Sequence, residues 1–247
     1  MRRRNFLAGM GAASLAGCDA IGGSAWFGKI VKGAEGWHRG LHRALGFGRI
    51  AMAPEYSVSD ISPFFRGNGS QDIDTDAYRA SAEGGFSDWT LVVDGLVKAP
   101  LSLSMKDIRT LPQRTQITRH DCVEGWSAIG QWTGPQLSHI LDAAGLKDEA
   151  RFLVFHCADT YKGGDYYESC DRDDAFHPQT IVAHQLNGKP LPIRNGAPLR
   201  LRLERQLGYK HAKYLTRIEA VSSLEGINGG KGGYWEDRAG YQWYAGI

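Results

Sequence analysis

The sequence lacks the short motifs that mark the commonest metal, haem and nucleotide sites. Its 247 residues contain no CxxC pair, no HExxH helix and no CxxCH haem-attachment motif. The sequence therefore does not indicate a simple zinc site or a c-type haem. It also contains no GxSxG elbow and no GxxxxGKS/T loop, which removes the usual signals for a serine hydrolase and a nucleoside triphosphatase. Any chemistry must therefore rest on a less common arrangement of residues.

The sequence also lacks an excess of charge of one sign. The chain has 29 Lys and Arg against 27 Asp and Glu, a net charge of +2, and the balance approaches zero once the three leader arginines are discounted. Such a chain has no broad electrostatic surface for nucleic acid, so no nucleic-acid partner is expected. After residue 22 no window is apolar enough to span a bilayer, which would need about 20 residues.

Glycine and tryptophan, in contrast, are abundant. With 32 glycines, seven tryptophans and 42% hydrophobic residues, the composition predicts a folded globule with many turns. The length allows one sizeable core. We therefore expect an α+β, β-rich fold with a single catalytic domain.

The amino terminus predicts export. Residues 1–18 combine a basic head, a short apolar run and a cysteine, which is typical of a targeting segment outside the fold. Within it, Arg3-Arg4-Asn5-Phe6-Leu7 resembles a twin-arginine signal, and Leu15-Ala16-Gly17-Cys18 resembles a bacterial lipobox. We expect a periplasmic protein, with membrane contact through a lipid on Cys18 left open; the alternative is an amphipathic amino-terminal helix. Because twin-arginine export commonly serves proteins loaded with a cofactor before transport, a cofactor is expected too.

One cysteine lies among an unusual set of polar groups. The stretch 117–126 places Cys122 close to His120 and Glu124, after a β-branched run that predicts a strand. The thiol is then expected where a strand enters a loop, a common location for functional sites. It could act as a nucleophile or as a soft metal ligand, with Arg119 and His120 lowering its pKa. It could equally be a buried, inert cysteine.

The number of cysteines leaves at least one thiol unpaired. If Cys18 carries a lipid, Cys122, Cys157 and Cys170 remain, and an odd number cannot all pair within one chain. A disulfide between Cys157 and Cys170 is compatible with an oxidising compartment and would leave Cys122 free.

Local patterns predict a series of strands and short helices. The alternating run 89–97 carries an Asp-Gly turn and predicts a β-hairpin. Ser104 and Thr133 resemble helix caps, and the helix that starts at Thr133 should end at Gly145. Further strands are expected at 151–157, followed by a polar loop, from 180 into an Asn-Gly turn, from 199 onward, and at 215–223.

A basic segment in the last quarter of the chain suggests an anion site. Alternation from Leu199 puts Arg200 and Arg202 on one face of a strand. Taken alone, this pattern favours a half-buried strand with a charged, solvated face. His211 and Lys213 follow in a glycine-containing turn, however, and such a set of cations can converge on a phosphate.

Three pieces of sequence occur together: 119–126 around Cys122, Trp132-Thr133-Gly134, and Asn195–Arg200 with Gly208–Lys213. In combination they resemble the sulfite-oxidase-type molybdopterin domain, and more closely its bacterial methionine sulfoxide reductase branch. The likeness covers roughly residues 60–225. It implies a mixed-sheet molybdopterin-binding fold that carries molybdenum-molybdopterin.

The resemblance also implies roles for individual residues. Cys122 matches the cysteine that binds molybdenum, and the residues that match the surroundings of the pterin and its phosphate are Asn195, Arg200, His211 and Lys213. Cys157 falls where the reductases carry a cofactor-contacting threonine, and Asn68 resembles a cofactor-binding asparagine. Glu124, two residues after the ligand, is a candidate catalytic proton donor or supporting group, or else a surface carboxylate.

These features predict four segments. They are a signal at 1–18, a tether and irregular arm at 19–58 with a short helix near 36–45, a molybdopterin-binding oxidoreductase domain at 59–225, and a glycine- and aromatic-rich arm packed on the domain at 226–247.

The expected function is oxygen-atom transfer on a small sulfur or nitrogen oxide. Electrons would pass through a separate membrane haem b or quinone-linked partner, because the chain has no haem motif. No residue matches the substrate-binding arginine cluster of sulfite oxidases, which favours a sulfoxide or N-oxide as the small-molecule substrate. Two alternatives stay open: a cysteine-dependent hydrolase or transferase that pairs Cys122 with His120 or His156, and a lipid-anchored binding module that kept the fold without catalysis.

Overall fold

The computed structural model describes residues 24–45, 51–161 and 163–247. The predicted signal and Cys18 lie outside the described residues. In the described part the helices are α1 (Ala25–Leu45), α2 (Asp76–Glu83), α3 (Met105–Thr110), α4 (Leu137–Ala144), α5 (Arg172–Ala175) and α6 (Tyr234–Ala239). The strands are β1 (Thr90–Gly95), β2 (Leu101–Ser104), β3 (Gln113–Cys122), β4 (Trp126–Pro135), β5 (Phe152–Tyr161), β6 (Gly164–Asp171), β7 (Ile181–Ala183), β8 (Gln185–Leu186), β9 (Lys189–Pro190), β10 (Arg200–Arg202) and β11 (Leu215–Val221). None of the described helices is long and apolar enough to cross a membrane.

The described strands form a five-stranded sheet, a four-stranded sheet and a two-stranded ribbon. In the five-stranded sheet the order is β2-β1-β11-β5-β6, and β1 runs parallel to β11 while the other neighbours are antiparallel. The four-stranded sheet has the order β3-β4-β8-β9, and β10 pairs with β7. This mixed, strand-rich architecture with short helices confirms the predicted fold class.

A long hairpin carries the cysteine stretch. β3 and β4 pair from Gln113↔Pro135 to Cys122↔Trp126, so both strands end together at one turn. Burial alternates along β3, and the inward face carries residues 116, 118, 120 and 122. The period of two places His120 and Cys122 on the same face of the strand.

The main core lies between the five-stranded sheet and helices α3 and α4. Its inaccessible side chains include Leu91 of β1, Ile218 of β11 and Leu141 of α4. On α4 the buried positions are 137, 140, 141 and 144, the spacing of one helix face. A second cluster surrounds the fully buried Trp132 and includes Phe65. These two clusters support the strands whose ends surround the cavity described below.

The predicted hairpin turn at Asp94-Gly95 is wrong. β1 continues through both residues and pairs there with β11, while the connection to β2 follows at 96–100. Arg217 donates from Nε to both carboxylate oxygens of Asp94, at 2.8 and 2.9 Å. Gly95 has a φ of 81°, and a Cβ there would lie 2.4 Å from the carbonyl oxygen of Ala220. Its glycine therefore allows the close approach of a neighbouring strand, instead of a two-residue turn.

The predicted helix start at Thr133 is also wrong. β4 continues to Pro135 because Thr133 pairs with Gln185 of β8, and α4 begins only at Leu137. The local cap signal is overridden by strand pairing. The predicted helix cap at Ser104 and the predicted helix end at Gly145 are both confirmed. Ser104 caps α3 through a capping box with Asp107, and Gly145 ends α4 in the left-handed region.

The strand predicted at 151–157 is longer than expected. β5 extends to Tyr161 and β6 returns from Gly164, so most of the predicted polar loop is strand. The register of this pair shifts between His156 and Thr160. Such irregularities redirect side chains, and Asp159, within this one, lines the cavity described below.

The prediction of an irregular arm at 19–58 is wrong for residues 25–35, because the helix expected near 36–45 is part of the longer, 21-residue helix α1. Arg43 anchors this helix by ion pairs with Asp171 and, at 2.8 Å, with Asp173. The segment 226–247 contains α6, whose Tyr234 is buried against Val154.

Truncating the main core should destabilise the whole domain. For Ile218→Ala we expect a loss of about 2–5 kcal/mol in the free energy of unfolding, because the buried side chain leaves a cavity. Val58→Ala, at an exposed position, is the control and should change stability by about 0.5 kcal/mol or less. Urea unfolding followed by circular dichroism measures both, and equal effects would contradict the assignment of the core.

Candidate active site

A cavity of about 450 Å³ opens beside the turn between β3 and β4. Stretches of the chain that are distant in sequence form its walls: the loop 64–71, the turn after Cys122, residues Asp159, Tyr161 and Tyr166 of β5 and β6, Arg194, the segment 208–213, and the α6 region with Trp235 and Tyr241. Of the predicted site residues, Asn68, Cys122, Glu124, His211 and Lys213 line it.

Cys122 is the last residue of β3 and lies in the cavity wall. The turn that follows is closed by a hydrogen bond from the Gly125 amide to the Cys122 carbonyl at 3.0 Å, with Gly125 at a φ of 85°. Cys122 is 8% exposed, and burial raises the pKa of its thiol above the ordinary value. A protonated thiol is a poor nucleophile, but a metal that binds it removes the proton.

Glu124 lies at the mouth of the same cavity. It is exposed, and its Oε2 accepts a hydrogen bond from Trp126 Nε1 at 3.0 Å. The Arg66 guanidinium lies 5.7 Å from the centre of the Trp126 ring, close enough for a cation–π contact. The carboxylate is therefore oriented by the indole while keeping access to solvent, as a group that exchanges protons requires.

The opposite wall is built around Lys213. Its Nζ donates to the carbonyl oxygens of Asn68, at 2.6 Å, and of Ser70. Burial, followed by the nearby Arg200, lowers the pKa of Lys213 to about 7. Loop 67–71 brings further backbone groups to this wall, and Gly69 has a φ of 62°. A lysine beside a glycine-containing loop is a common phosphate-binding arrangement.

Arg200 lies behind this wall instead of lining the cavity. It is completely buried on β10; its Nη1 donates to the Asn195 carbonyl at 3.0 Å and its Nη2 to Asn68 Oδ1 at 3.5 Å. Asn195, also buried, donates from Nδ2 to the Arg66 carbonyl at 3.4 Å. Arg200 and Asn195 therefore hold the loop that forms the wall, and the predicted solvated face of this strand is wrong.

Arg202, on the same face of β10, belongs to a separate buried network. It donates to both carboxylate oxygens of Glu204, at 2.9 and 2.7 Å, and from Nη1 to His120 Nδ1 at 3.0 Å. Burial and the neighbouring Arg200 hold the pKa of His120 well below its ordinary range. His120 is therefore neutral, and its Nδ1 accepts a hydrogen bond from Arg202. It does not supply the positive charge expected beside Cys122.

His211 lies between this network and the cavity. Its Nε2 donates to the carbonyl oxygens of Leu203 and Gln206, at 2.8 and 3.1 Å, while Nδ1 is buried without a partner among the described residues. Burial, with Arg202, places the pKa of His211 well below its ordinary range. A neutral imidazole with a free ring nitrogen can accept a hydrogen bond from a ligand in the cavity.

Cys157 does not line the cavity in the described structure. Burial raises the pKa of its thiol well above the ordinary value, and its Sγ approaches the Phe155 carbonyl at 3.9 Å. Cys157 and Cys170 are both free cysteines, so the disulfide considered from the sequence is not formed.

Several cavity residues were not anticipated from the sequence. Asp159 is 3% exposed, accepts from Ser70 Oγ, and has one carboxylate oxygen without a partner among the described residues. Burial raises the pKa of Asp159. The other unanticipated lining residues include Ser70, Gln71, Phe64, Arg66, Arg194, Tyr161, Tyr166, Tyr209, Trp235 and Tyr241. No local pattern marks these positions, because they come together only when distant segments fold.

The chain matches the family model described as oxidoreductase molybdopterin binding domain over residues 79–225. Among similar curated proteins, one from Azospira oryzae carries the name of a protein-methionine-sulfoxide reductase subunit, YedZ1, and is 42% identical over 63% of this chain and 55% of its own length. The protein-methionine-sulfoxide reductase catalytic subunit MsrP of Xanthomonas axonopodis pv. citri is 34% identical over 61% of this chain and 50% of its own length. The chain thus spans about half the length of the curated relatives it matches.

A solved structure shares the fold. The sulfane dehydrogenase SoxCD from Paracoccus pantotrophus superposes with a TM-score of 0.51 at 22% sequence identity, over 56% of this chain and 39% of the other. At that identity the likeness concerns the fold alone, and it agrees with the mixed-sheet architecture described above.

The cavity wall built around Lys213 should bind anions more weakly as Lys213 loses its proton. In protein prepared without cofactor, we expect sulfate binding to weaken about tenfold between pH 7 and pH 8.5, because a lysine with a pKa of about 7 becomes neutral over this range. Sulfate keeps its charge throughout, so calorimetric titration reports the protein group. Lys213→Met should bind weakly at every pH, whereas the exposed Lys189→Met should behave as the parent; a pH-independent parent would contradict the prediction.

Proposed function

Because the chain belongs to the oxidoreductase molybdopterin binding domain family, we propose that it is an exported molybdenum enzyme that removes an oxygen atom from a small sulfoxide or N-oxide. The observation that carries this proposal is the buried Cys122 thiol, which shares a cavity with a lysine- and glycine-containing anion site. The names of the relatives make the sulfoxide of methionine the first substrate to test.

The residues of the cavity fit a molybdopterin. Cys122 offers one soft thiolate ligand, the type that molybdenum accepts in such cofactors. Lys213 and the backbone of loop 67–71 suit the phosphate. The buried nitrogens His211 Nδ1 and Arg200 Nε have no partner among the described residues, and buried polar atoms of this kind call for one. Cys122, Lys213 and His211 would therefore hold the cofactor directly, with Arg200, Asn195 and Asn68 supporting the wall.

The proposed reaction consumes two electrons and two protons, and it converts a sulfoxide into a sulfide and water. The bound cofactor would supply the two-electron redox centre that accepts the oxygen atom. The protein has to orient the substrate and deliver protons. Glu124 is suited to the second task, because its carboxyl group lines the cavity, accepts a hydrogen bond from Trp126 Nε1 and is exposed to solvent.

Aromatic side chains at the opening suit an apolar substrate. Phe64 is 58% exposed, and Trp235 and Tyr241, which are distant from it in sequence, also contribute to the lining. Thioether and sulfoxide sulfur atoms make favourable contacts with aromatic rings. These rings would hold the side chain of the substrate while the sulfoxide oxygen enters the cavity.

The geometry counts against the hydrolase alternative. A cysteine nucleophile needs an adjacent base, yet His120 is neutral and occupied by Arg202, and His156 is bonded to Glu219 at 2.9 Å on the five-stranded sheet. Burial raises the pKa of the Cys122 thiol, the reverse of what a nucleophile requires.

The proposal includes a location and a redox partner. The leader at 1–18 would direct the folded protein to the periplasm by the twin-arginine route, and a lipid on Cys18 would attach it to the membrane. Electrons would come from a membrane haem b or quinone-linked protein, since the sequence has no CxxCH motif.

Replacement of the thiol tests the central assignment. Cys122→Ser should lower the molybdenum content per protein about tenfold or more, because a hydroxyl is a harder and weaker ligand than a thiolate. Reduction of methionine sulfoxide by a reduced dye should be lost in proportion. Cys170→Ser, a buried cysteine outside the cavity, is the matched control and should keep its metal. A Cys122→Ser protein with full metal and activity would show that the assignment is wrong, and a parent that holds pterin but reduces no oxide would indicate a binding module.

Replacement of Glu124 separates proton delivery from metal binding. Glu124→Gln should keep the molybdenum content and lower kcat about a hundredfold with little change in KM, because the amide has no proton to give. Asp121→Asn is the control, since Asp121 pairs with Arg119 outside this cavity. Unchanged kcat in Glu124→Gln would assign the carboxylate to the surface.

A further inference from the structure

Helix α1 has two different faces. At about 100° per residue, the side chains of Trp26, Ile30, Trp37 and Leu41 share one stripe of the helix. The opposite side carries His38, Arg39, His42 and Arg43. A helix with an apolar stripe on one side and basic residues on the other is amphipathic.

The polar face is the one that docks on the domain. Arg43 pairs with Asp171 and with Asp173, and the Arg39 guanidinium lies 5.4 Å from the centre of the Trp243 ring. The imidazole of His42 lies 6.1 Å from the ring of Tyr244. The orientation is therefore the reverse of an ordinary surface helix, which packs its apolar face on the core.

The apolar face remains exposed. Trp26 is 58% exposed and Trp37 68%, and Leu41 and Leu45 are exposed as well. The hydrophobic clusters found among the described residues include no side chain of α1. A contiguous apolar stripe with two tryptophans on a protein surface marks an interaction site.

Helix propensity alone does not favour this segment. The helix contains Gly28, Gly33, Gly36 and Gly40, each of which disfavours helix by about 1 kcal/mol relative to alanine. No Cβ at these positions would meet a neighbouring atom within 4 Å, so close packing does not explain the glycines. The helix needs support from outside, and the ion pairs of Arg43 support only its carboxyl-terminal end.

We infer that the exposed face of α1 lies on an anionic lipid bilayer and holds the domain at the membrane surface. Tryptophan and leucine on one side with basic residues beside them is the pattern of helices that lie in the lipid interface. Lys29 is exposed and flanks the apolar stripe next to Trp26, where an ammonium group can reach phosphate headgroups. The only acidic residue of the helix is Glu35.

The position of α1 in the chain agrees with this occupant. Cys18, the predicted acylation site, precedes Ala25 by seven residues, a span that reaches at most about 25 Å. A lipid there would bring α1 to the bilayer, and the apolar face of the helix would add a second attachment beside it. The inference goes beyond the proposed reaction and does not depend on it.

Vesicle binding of the whole chain tests the inference. The full chain with Cys18→Ser, which excludes acylation, is mixed with vesicles of phosphatidylethanolamine and phosphatidylglycerol and separated by flotation. We expect the parent to float and Trp37→Glu to bind about tenfold more weakly, because one interfacial tryptophan is replaced by a charge. Val58→Glu introduces the same charge at a position of similar exposure outside α1 and should bind as the parent. All three proteins carry the same leader, so differences report on the substituted positions.

A second measurement identifies the segment that binds. Hydrogen exchange of residues 25–45 should slow when the vesicles are added, and it should not slow in Trp37→Glu. The inference is wrong if the parent stays with the soluble fraction, or if Trp37→Glu floats and is protected like the parent. It is also wrong if sedimentation shows a dimer of the parent that Trp37→Glu disperses without any effect on vesicle binding, since the occupant of the face would then be a second copy.

Discussion

Two guanidinium groups buried side by side on β10 are the constraint on which the rest of the cavity depends. Arg200 and Arg202 are completely inaccessible, and they lie 5.4 and 4.2 Å from the ring centre of Trp132, which is also buried. Charges out of contact with water must be paired or hydrogen-bonded. Arg202 meets this demand through Glu204 and His120, whereas Arg200 meets it only through carbonyl and amide oxygens and keeps Nε without a partner among the described residues.

The unequal pairing of these two arginines explains the character of the cavity. Because Arg202 is neutralised by Glu204, its side of β10 is a stable support for His120 and for the end of β3, where Cys122 lies. Arg200 has no carboxylate hydrogen-bonded or ion-paired to it among the described residues, so its positive charge acts on the wall and helps to lower the pKa of Lys213. The positive charge of Arg200, which has no carboxylate partner among the described residues, favours an anion at this wall, and a cofactor phosphate would use this property.

Particular residues show how far the sequence could predict this arrangement. The strand end at Cys122 was predictable, because a β-branched run and a following glycine are local signals, and so were the caps at Ser104 and Gly145. The helix start predicted at Thr133 was wrong because β8, more than fifty residues away in sequence, pairs with this residue. The alternation of Arg200 and Arg202 correctly placed both on one face, but alternation does not say whether that face meets water or protein.

By itself the sequence determined the family, the strand that ends in Cys122 and the set of cations near the carboxyl end, because motifs and periodicities act over short distances in the chain. Only the tertiary structure decided which cations reach the cavity, that Asp159 and Ser70 join them, and that α1 docks by its polar face. The physical reason is burial: partners such as Arg200 and Asn68, 132 residues apart, are chosen by packing and by the demand that buried charge be satisfied. No local pattern carries that information.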